Sequence, residues 1–177
     1  MPQLEPPFDR GRDHWRGGED APATLLVFGD FQCPYTRRAE RFIDRIREPY
    51  GDSLRVAFRH LPLTQIHPRA LPAAVAAEAA AAAGVFWPMH DMLFAHQEAL
   101  GDDDLRRYAD ELGVDIGVAD SGAISERLDT DYRSAVRSGA RGTPTLFVNG
   151  RMIANVNGMP YETLKELVQF MGTPAAK

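Results

Sequence analysis

The chain carries one cysteine in 177 residues, Cys33. It cannot form an intrachain disulfide, so no covalent framework supports the fold, and a reducing compartment suits it. A basic excess is also missing: 20 Lys and Arg stand against 25 Asp and Glu, a formal charge of −5. No basic cluster stands free of nearby acids, which argues against a nucleic-acid partner. No apolar run approaches the ~20 residues of a membrane-spanning helix. The opening "MPQLEPPFDRGRDHWRGGED" lacks the apolar segment of a secretory signal, so a cytoplasmic location is expected and export is not. Internal repeats are absent as well. What remains is ordinary for a soluble globule: 44% hydrophobic and 25% charged residues. The length allows one domain, or one domain with a sizeable insertion, and a real buried core.

Residues 1–20 are rich in Pro, Gly and charge, and read as an extended lead-in. "ATLLVFGDF" then has the short apolar signature of a buried central strand. Pro34 suits the first position of a helix, where its missing N–H is no loss. "YTRRAERFIDRIREPYG" spaces Ala39, Phe42, Ile43 and Ile46 by threes and fours and stops at Pro49 and Gly51. "SLRVAFRHLPL" alternates Leu54, Val56 and Phe58 with Arg55, Ala57 and Arg59, as a strand does. Strand, helix, strand in this order makes a right-handed parallel βαβ unit.

From about His67 to Arg141 only helical signals occur. The alanine run up to Gly84 has the highest helix propensity, although Pro72 is expected to bend or delay it. "FWPMHDMLFAHQEAL" places Met89, Met92, Leu93 and His96 on one stripe, with Pro88 at the start. Asp102, Asp103 and Asp104 suit the positive end of a helix dipole and lack the glycine and alternation of a calcium loop. A less regular helix runs from about Val118 to Ser138. Strand patterns return in "TPTLFVNG", whose Asn149-Gly150 is a tight-turn signal, and in "RMIANVNG". "MPYETLKELVQFM" reads as a closing helix with Leu164, Leu167, Val168 and Met171 on one side.

Cys33 opens the first helix, and chemistry favours that position. A thiol reacts as its thiolate, and a free cysteine with a pKa of ~8.5 is mostly protonated at neutral pH. Unpaired N–H groups and a partial positive charge at a helix N-terminus stabilise the anion. Thr36 lies one turn in, where its hydroxyl can donate a hydrogen bond to the sulfur. The bland alternative is that Cys33 is a small buried hydrophobe. Asp30 either tunes the thiol or serves as a turn and cap residue. Tyr35 and Phe31 flank the thiol as an apolar lip or as packed residues. His60 reads as a satisfied surface histidine, Trp87 as core of the helical block. His90 and His96 fall on different helix faces, so no metal site is expected.

Motifs and element order together resemble a known family. "DFQCPYT", "FRHLPLTQIHP", "FWPMHDMLFAHQ" and "GTPTLFVNG" are similar to the DsbA-like disulfide oxidoreductases. The likeness is greatest to the thioredoxin-like domain fused to some bacterial sodium–proton antiporters. It spans about Asp13 to Met171. The implied fold is α/β: a thioredoxin fold with an inserted all-helical subdomain. The parts are an N-terminal segment 1–20, a βαβ half 21–63, the insertion 64–141, a ββα half 142–172 and a tail 173–177. The resemblance also implies a cis bond at Thr143-Pro144, facing the reactive sulfur. Thr143 backbone groups would then pair with an extended peptide or with glutathione; the alternative is a plain turn before a strand. The family frame has a second cysteine where this chain has Thr36, and Val27 stands where many relatives carry an acid.

The site expected on these grounds has Cys33, Thr36 and Pro144 as catalytic residues. Pro34, Tyr35, Gly142 and Thr143 bind substrate, and Asp30 is a tuning residue. One sulfur can form a mixed disulfide but cannot resolve it, so an external thiol must finish the cycle. The expected function is therefore monothiol disulfide exchange on a thiol- or disulfide-containing protein. No bound cofactor is expected; glutathione or another small thiol is the co-substrate. Two chains can pair through Cys33 or associate non-covalently. The alternatives are a redox-silent peptide-binding module and a glutathione-dependent isomerase or transferase. A monothiol iron–sulfur carrier lacks its glycine-rich frame here.

Overall fold

The computed structural model describes residues 2–118 and 120–153. Its centre is strand β2 (Ala23–Gly29), paired parallel with β3 (Leu54–His60) and antiparallel with β4 (Thr145–Val148). An edge strand β1 (His14–Gly17) runs antiparallel to β3, and β5 (Arg151–Ile153) closes the other edge against β4. The five-stranded order is β1-β3-β2-β4-β5. The β4–β5 hairpin turns at Asn149 and Gly150, both at positive φ (46° and 79°), as the Asn-Gly signal requires. A side-chain period of two divides β2 between two cores. Ala23, Leu25 and Val27 face the large cluster beneath the helices, whereas Leu26 and Phe28 join a smaller one with Leu4, Ala57 and Phe147.

Helix α1 (Pro34–Tyr50) links β2 to β3 and buries Thr36, Ala39, Glu40, Ile43 and Ile46. The helical block consists of α2 (Ala70–Ala82), α3 (Phe86–Ala95), α4 (Asp102–Glu111) and α5 (Ser121–Arg137). Six alanines of α2, from Ala73 to Ala80, are buried, and their small side chains let the helix pack closely on its neighbours. Because α2 starts at Ala70, Pro72 falls in the first turn, where no backbone acceptor waits for its N–H, and the expected bend does not occur. The buried stripe of α3 is Phe86, Met89, His90, Leu93 and Phe94, whereas His96 is exposed and stacks on Tyr108. The aspartates at 102–104 form the first turn of α4, where Asp104 accepts from the Gly101 N–H. The expected closing helix and its residues Leu164, Leu167, Val168 and Met171 lie outside the described residues, as does the tail.

Two further expectations are corrected. Residues 1–20 are more than an extended lead-in, since they supply β1 and pack Leu4 into the smaller core. For the same reason β3 does not alternate between core and solvent: all seven of its residues are buried. Arg59 is fully buried and its guanidinium is saturated. It donates twice to Asp13 (2.8 Å each), to the carbonyls of Pro6 (2.9 Å) and Pro7 (3.0 Å), and to Ser134 Oγ (2.7 Å). The lead-in thus folds over β3 because a buried guanidinium needs this set of acceptors. Asp13→Ala leaves that charge without its carboxylate and is expected to cost about 3–5 kcal/mol of unfolding free energy. Urea denaturation monitored by Trp fluorescence measures it; a loss below about 1 kcal/mol contradicts this role for Asp13.

Candidate functional site

Cys33 is the N-cap residue of α1, with extended backbone (φ −74°, ψ 119°), and Pro34 takes the first helical position. The Cys33 N–H donates to the Asp30 carbonyl (3.1 Å), and the Cys33 carbonyl accepts from Arg37 N–H (3.2 Å), starting the helix. Cys33 is buried, 3% exposed as a residue. Its S–H donates to the Thr143 carbonyl at 3.3 Å, so residues 110 positions apart in the chain meet here. The Thr143–Pro144 peptide bond is cis. Behind it, Thr145 Oγ1 donates to the Gly142 carbonyl (2.7 Å). The thiol form makes the bond to Thr143; on deprotonation that donor is lost, and the N-terminal end of α1 offers the anion positive potential.

Asp30 fixes the approach to Cys33. Its buried carboxylate accepts from Gln32 N–H (2.7 Å), Leu63 N–H (2.9 Å) and His67 Nδ1 (2.8 Å). It is therefore the turn residue weighed from sequence, and it also ties the β2–α1 turn to the segment after β3. Thr36 is fully buried, but its hydroxyl is not bonded to the sulfur. It accepts instead from Asp30 N–H at 3.4 Å, which corrects the expected Thr36–sulfur bond: α1 directs the side chain back toward the preceding turn. Tyr35 is 52% exposed beside the site, whereas Phe31 is buried, stacked on Phe58 with ring centroids 5.3 Å apart. Pro34 is exposed, and Gly142 and Pro144 are half-buried at the rim.

Two participants carry no marking in the sequence. Gln97, just beyond α3, donates from Nε2 to the carbonyls of Phe31 (2.7 Å) and Cys33 (3.0 Å), so the helical block clamps the thiol turn. His67 holds Asp30 from the other side. Both lie within motifs quoted for the family resemblance, and that placement was the available signal. His60 is not at the surface, as expected, but 1% exposed at the end of β3, because β1 and α2 cover it. Trp87 is half-buried and donates to the Trp15 carbonyl (2.8 Å), which suits the structural reading.

His90 sits behind Phe31, with ring centroids 5.7 Å apart. Its Nδ1 lies 2.8 Å from Asp91 and its Nε2 3.8 Å from the buried Glu40. Burial works against a charge on His90, but Glu40 and Asp91 outweigh it and raise its pKa.

The chain matches the family described as thioredoxin over residues 9–169. Among curated proteins it is 47% identical over 150 residues to a Na(+)/H(+) antiporter NhaA 3 of Salinispora tropica. It is 48% identical over 154 residues to a Na(+)/H(+) antiporter NhaA of Herminiimonas arsenicoxydans. These matches take in 82% and 85% of this chain but 23% and 24% of the antiporters, so the chain spans about a quarter of their length. Among solved structures it resembles a periplasmic thioredoxin-like protein from Salmonella enterica serovar Typhimurium (TM-score 0.80, 22% identity, 93% and 92% of the two chains). The thiol-disulfide exchange protein alpha-DsbA2 from Wolbachia pipientis gives a TM-score of 0.79 at 17% identity, covering 93% and 89%. The catalytic domain of Proteus mirabilis ScsC gives 0.77 at 19%, covering 93% and 92%.

The raised His90 pKa has a testable consequence. A base whose pKa is higher in the folded state stabilises the fold below its unfolded pKa of ~6.5, and that stability is lost as pH rises through the folded value. Asp91 is also held by Arg16 (2.7 Å), so Glu40 is the partner to remove. In Glu40→Gln the unfolding free energy, from urea titrations between about pH 6 and pH 9, is expected to fall less steeply than in the wild type. Parallel curves contradict the Glu40–His90 coupling.

Proposed function

The chain belongs to the thioredoxin family, and on that premise we propose that it is a thiol–disulfide oxidoreductase working through the single sulfur of Cys33. One observation carries this reading: the only cysteine caps a helix N-terminus and lies 3.3 Å from the carbonyl that precedes a cis-proline. In the proposed cycle the Cys33 thiolate attacks a disulfide R–S–S–R′. The Cys33–S–S–R bond forms and R′–S⁻ leaves, to be protonated by solvent. An external thiolate then attacks the R sulfur, giving R–S–S–X and regenerating Cys33. Glutathione, or another small thiol of a reducing cytoplasm, is the proposed X. The substrate is a protein whose extended segment pairs beside Thr143, with the exposed Tyr35 and Pro34 at the mouth. Transport, the activity in the names of the longer relatives, is not assigned to this chain.

A second reading rests on the burial of Cys33, whose thiol already has an acceptor in Thr143. On that reading the groove binds peptides and the sulfur is idle. One experiment separates the two. Thr36→Cys completes a Cys-x-x-Cys frame in the space of a similar side chain, and Cys33→Ser removes the nucleophile. Wild type treated with oxidised glutathione is expected to gain one glutathione by mass spectrometry, released by reduced glutathione. Thr36→Cys is expected to lose the adduct by forming an internal disulfide. When first reduced to the dithiol, it is expected to reduce an insulin disulfide without glutathione, its own two thiols becoming the internal disulfide. No adduct on the wild type, together with an inert Thr36→Cys variant, contradicts the oxidoreductase reading.

A further inference from the structure

A second cluster lies on the far side of Phe31 and Phe58, apart from the thiol. His14 on β1, His60 at the end of β3 and Glu78 on α2 are widely separated in sequence, yet their side chains converge. Both histidines address one atom: Glu78 Oε1 lies 2.6 Å from His14 Nε2 and 2.7 Å from His60 Nε2. One ligand atom from each residue falls within 4.8 Å of the other two. The side chains of His60 and Glu78 are 1% and 8% exposed, and that of His14 is 17% exposed. Glu78 is the only charged residue in α2, whose sequence is ALPAAVAAEAAAA. A carboxylate in such a helix is costly to bury unless something compensates it.

We propose that His14, His60 and Glu78 form a binding site for a first-row divalent cation of the zinc class. Two imidazoles and one carboxylate are a donor set suited to zinc, which takes nitrogen at ~2.0–2.1 Å and carboxylate oxygen at ~2.0–2.2 Å. Both Nε2 atoms now hydrogen-bond to the same Glu78 oxygen, so a cation entering between them displaces those two bonds and moves each nitrogen away from the carboxylate by roughly half an ångström or more to reach these lengths. Charge favours the exchange, because a buried carboxylate trades two hydrogen-bond donors for a divalent cation. Protons balance because, as each Nε2 lone pair turns to the metal, the proton it held moves to Nδ1 of the same ring or is released to solvent. Among the described residues, His60 Nδ1 is buried with no hydrogen-bond partner, so it is open to that proton.

Access and support are both present. Beside His14 a surface cavity of about 250 Å³, lined by Asp13, Trp15, Gly84, Phe86 and Trp87, reaches solvent and gives a route to the His14 side of the cluster. Phe86 stacks on the His14 ring at 3.7 Å between centroids and 12° between planes, which sets its direction. Burial holds the His14 pKa below its ordinary value, and the positive charge of Arg127 acts in the same direction. Arg127 is itself paired with Asp131 (3.4 Å). The site joins the edge strand, the end of the central βαβ unit and the helical block. Its occupant would therefore lock the N-terminal segment to the fold.

The test uses the full chain as Cys33→Ser, which removes the thiol as a competing zinc ligand, after dialysis against a chelator. Zinc is titrated against a chromophoric chelator, and thermal unfolding is followed with and without zinc. Expected are one zinc per chain, a higher melting temperature with zinc, and an X-ray absorption first shell of nitrogen and oxygen only. Adding His14→Ala at this partly exposed position should weaken zinc binding at least about tenfold and abolish the thermal shift. Glu78→Gln should do the same, and circular dichroism checks that each variant is folded. Absence of zinc binding by the Cys33→Ser chain overturns the proposal, as does undiminished binding in folded His14→Ala.

Discussion

The carboxylate of Asp30 is the constraint on which the candidate site depends. Three half-buried donors from two segments meet on it, and without them its own buried carboxylate would be unpaired. Its bond to Gln32 N–H shapes the turn that delivers Cys33 to the start of α1. Its bonds to Leu63 and His67 fasten that turn to the chain leaving β3, and Gln97 grips the same turn from the helical block. The sulfur is thus held by contacts from three parts of the fold. This matters for exchange chemistry, because attack along an S–S axis needs a fixed sulfur more than a mobile one. The same rigidity means that the cost of positioning is met on folding and not at each encounter.

The helical block and the N-terminal segment serve this arrangement through buried polar contacts as well as apolar packing. Arg59, Asp13 and the carbonyls of Pro6 and Pro7 seal one side of β3. The His14–Glu78–His60 group seals the opposite face of the same end of that strand against α2. Such groups add little net stability over apolar replacements, but removing one partner is costly, so they fix which segment lies where. In a chain without disulfides, a short edge strand such as β1 gains its place from these directed contacts.

Much of this was legible in the sequence, for physical reasons. The short apolar run of residues 23–29 reflects a strand buried on both faces, and the period-three-to-four pattern after Pro34 a helix that buries one. They emerged as β2 and α1, and the strand expected at 54–60 emerged as β3, although it is buried on both faces. Asn149-Gly150 specified a turn needing two positive φ angles, and the turn is there. The Cys33 frame and the Thr143-Pro144 pair were visible as motifs. Their meeting was visible only through the family, because nothing local encodes a contact across 110 residues. What stayed hidden depended on non-local partners. Arg59 reads as a solvent-facing strand residue until Asp13 is known to lie over it. His60 reads as exposed until β1 and α2 cover it. Glu78 passes as a solubilising charge in an alanine helix. Thr36 points by its spacing at the sulfur, yet the Asp30 N–H is the partner it finds.

The central claim is that Cys33 is a nucleophile and not a packed side chain, and its alkylation rate tests this most directly. Iodoacetamide is applied to the folded protein at neutral pH, with Cys33→Ser as blank and free glutathione as reference. An activated sulfur at the start of α1 predicts labelling faster than glutathione even though Cys33 is 3% exposed as a residue. Labelling slower than glutathione, rising only when the protein is unfolded, would contradict it and leave the groove beside Pro144 as a binding surface alone.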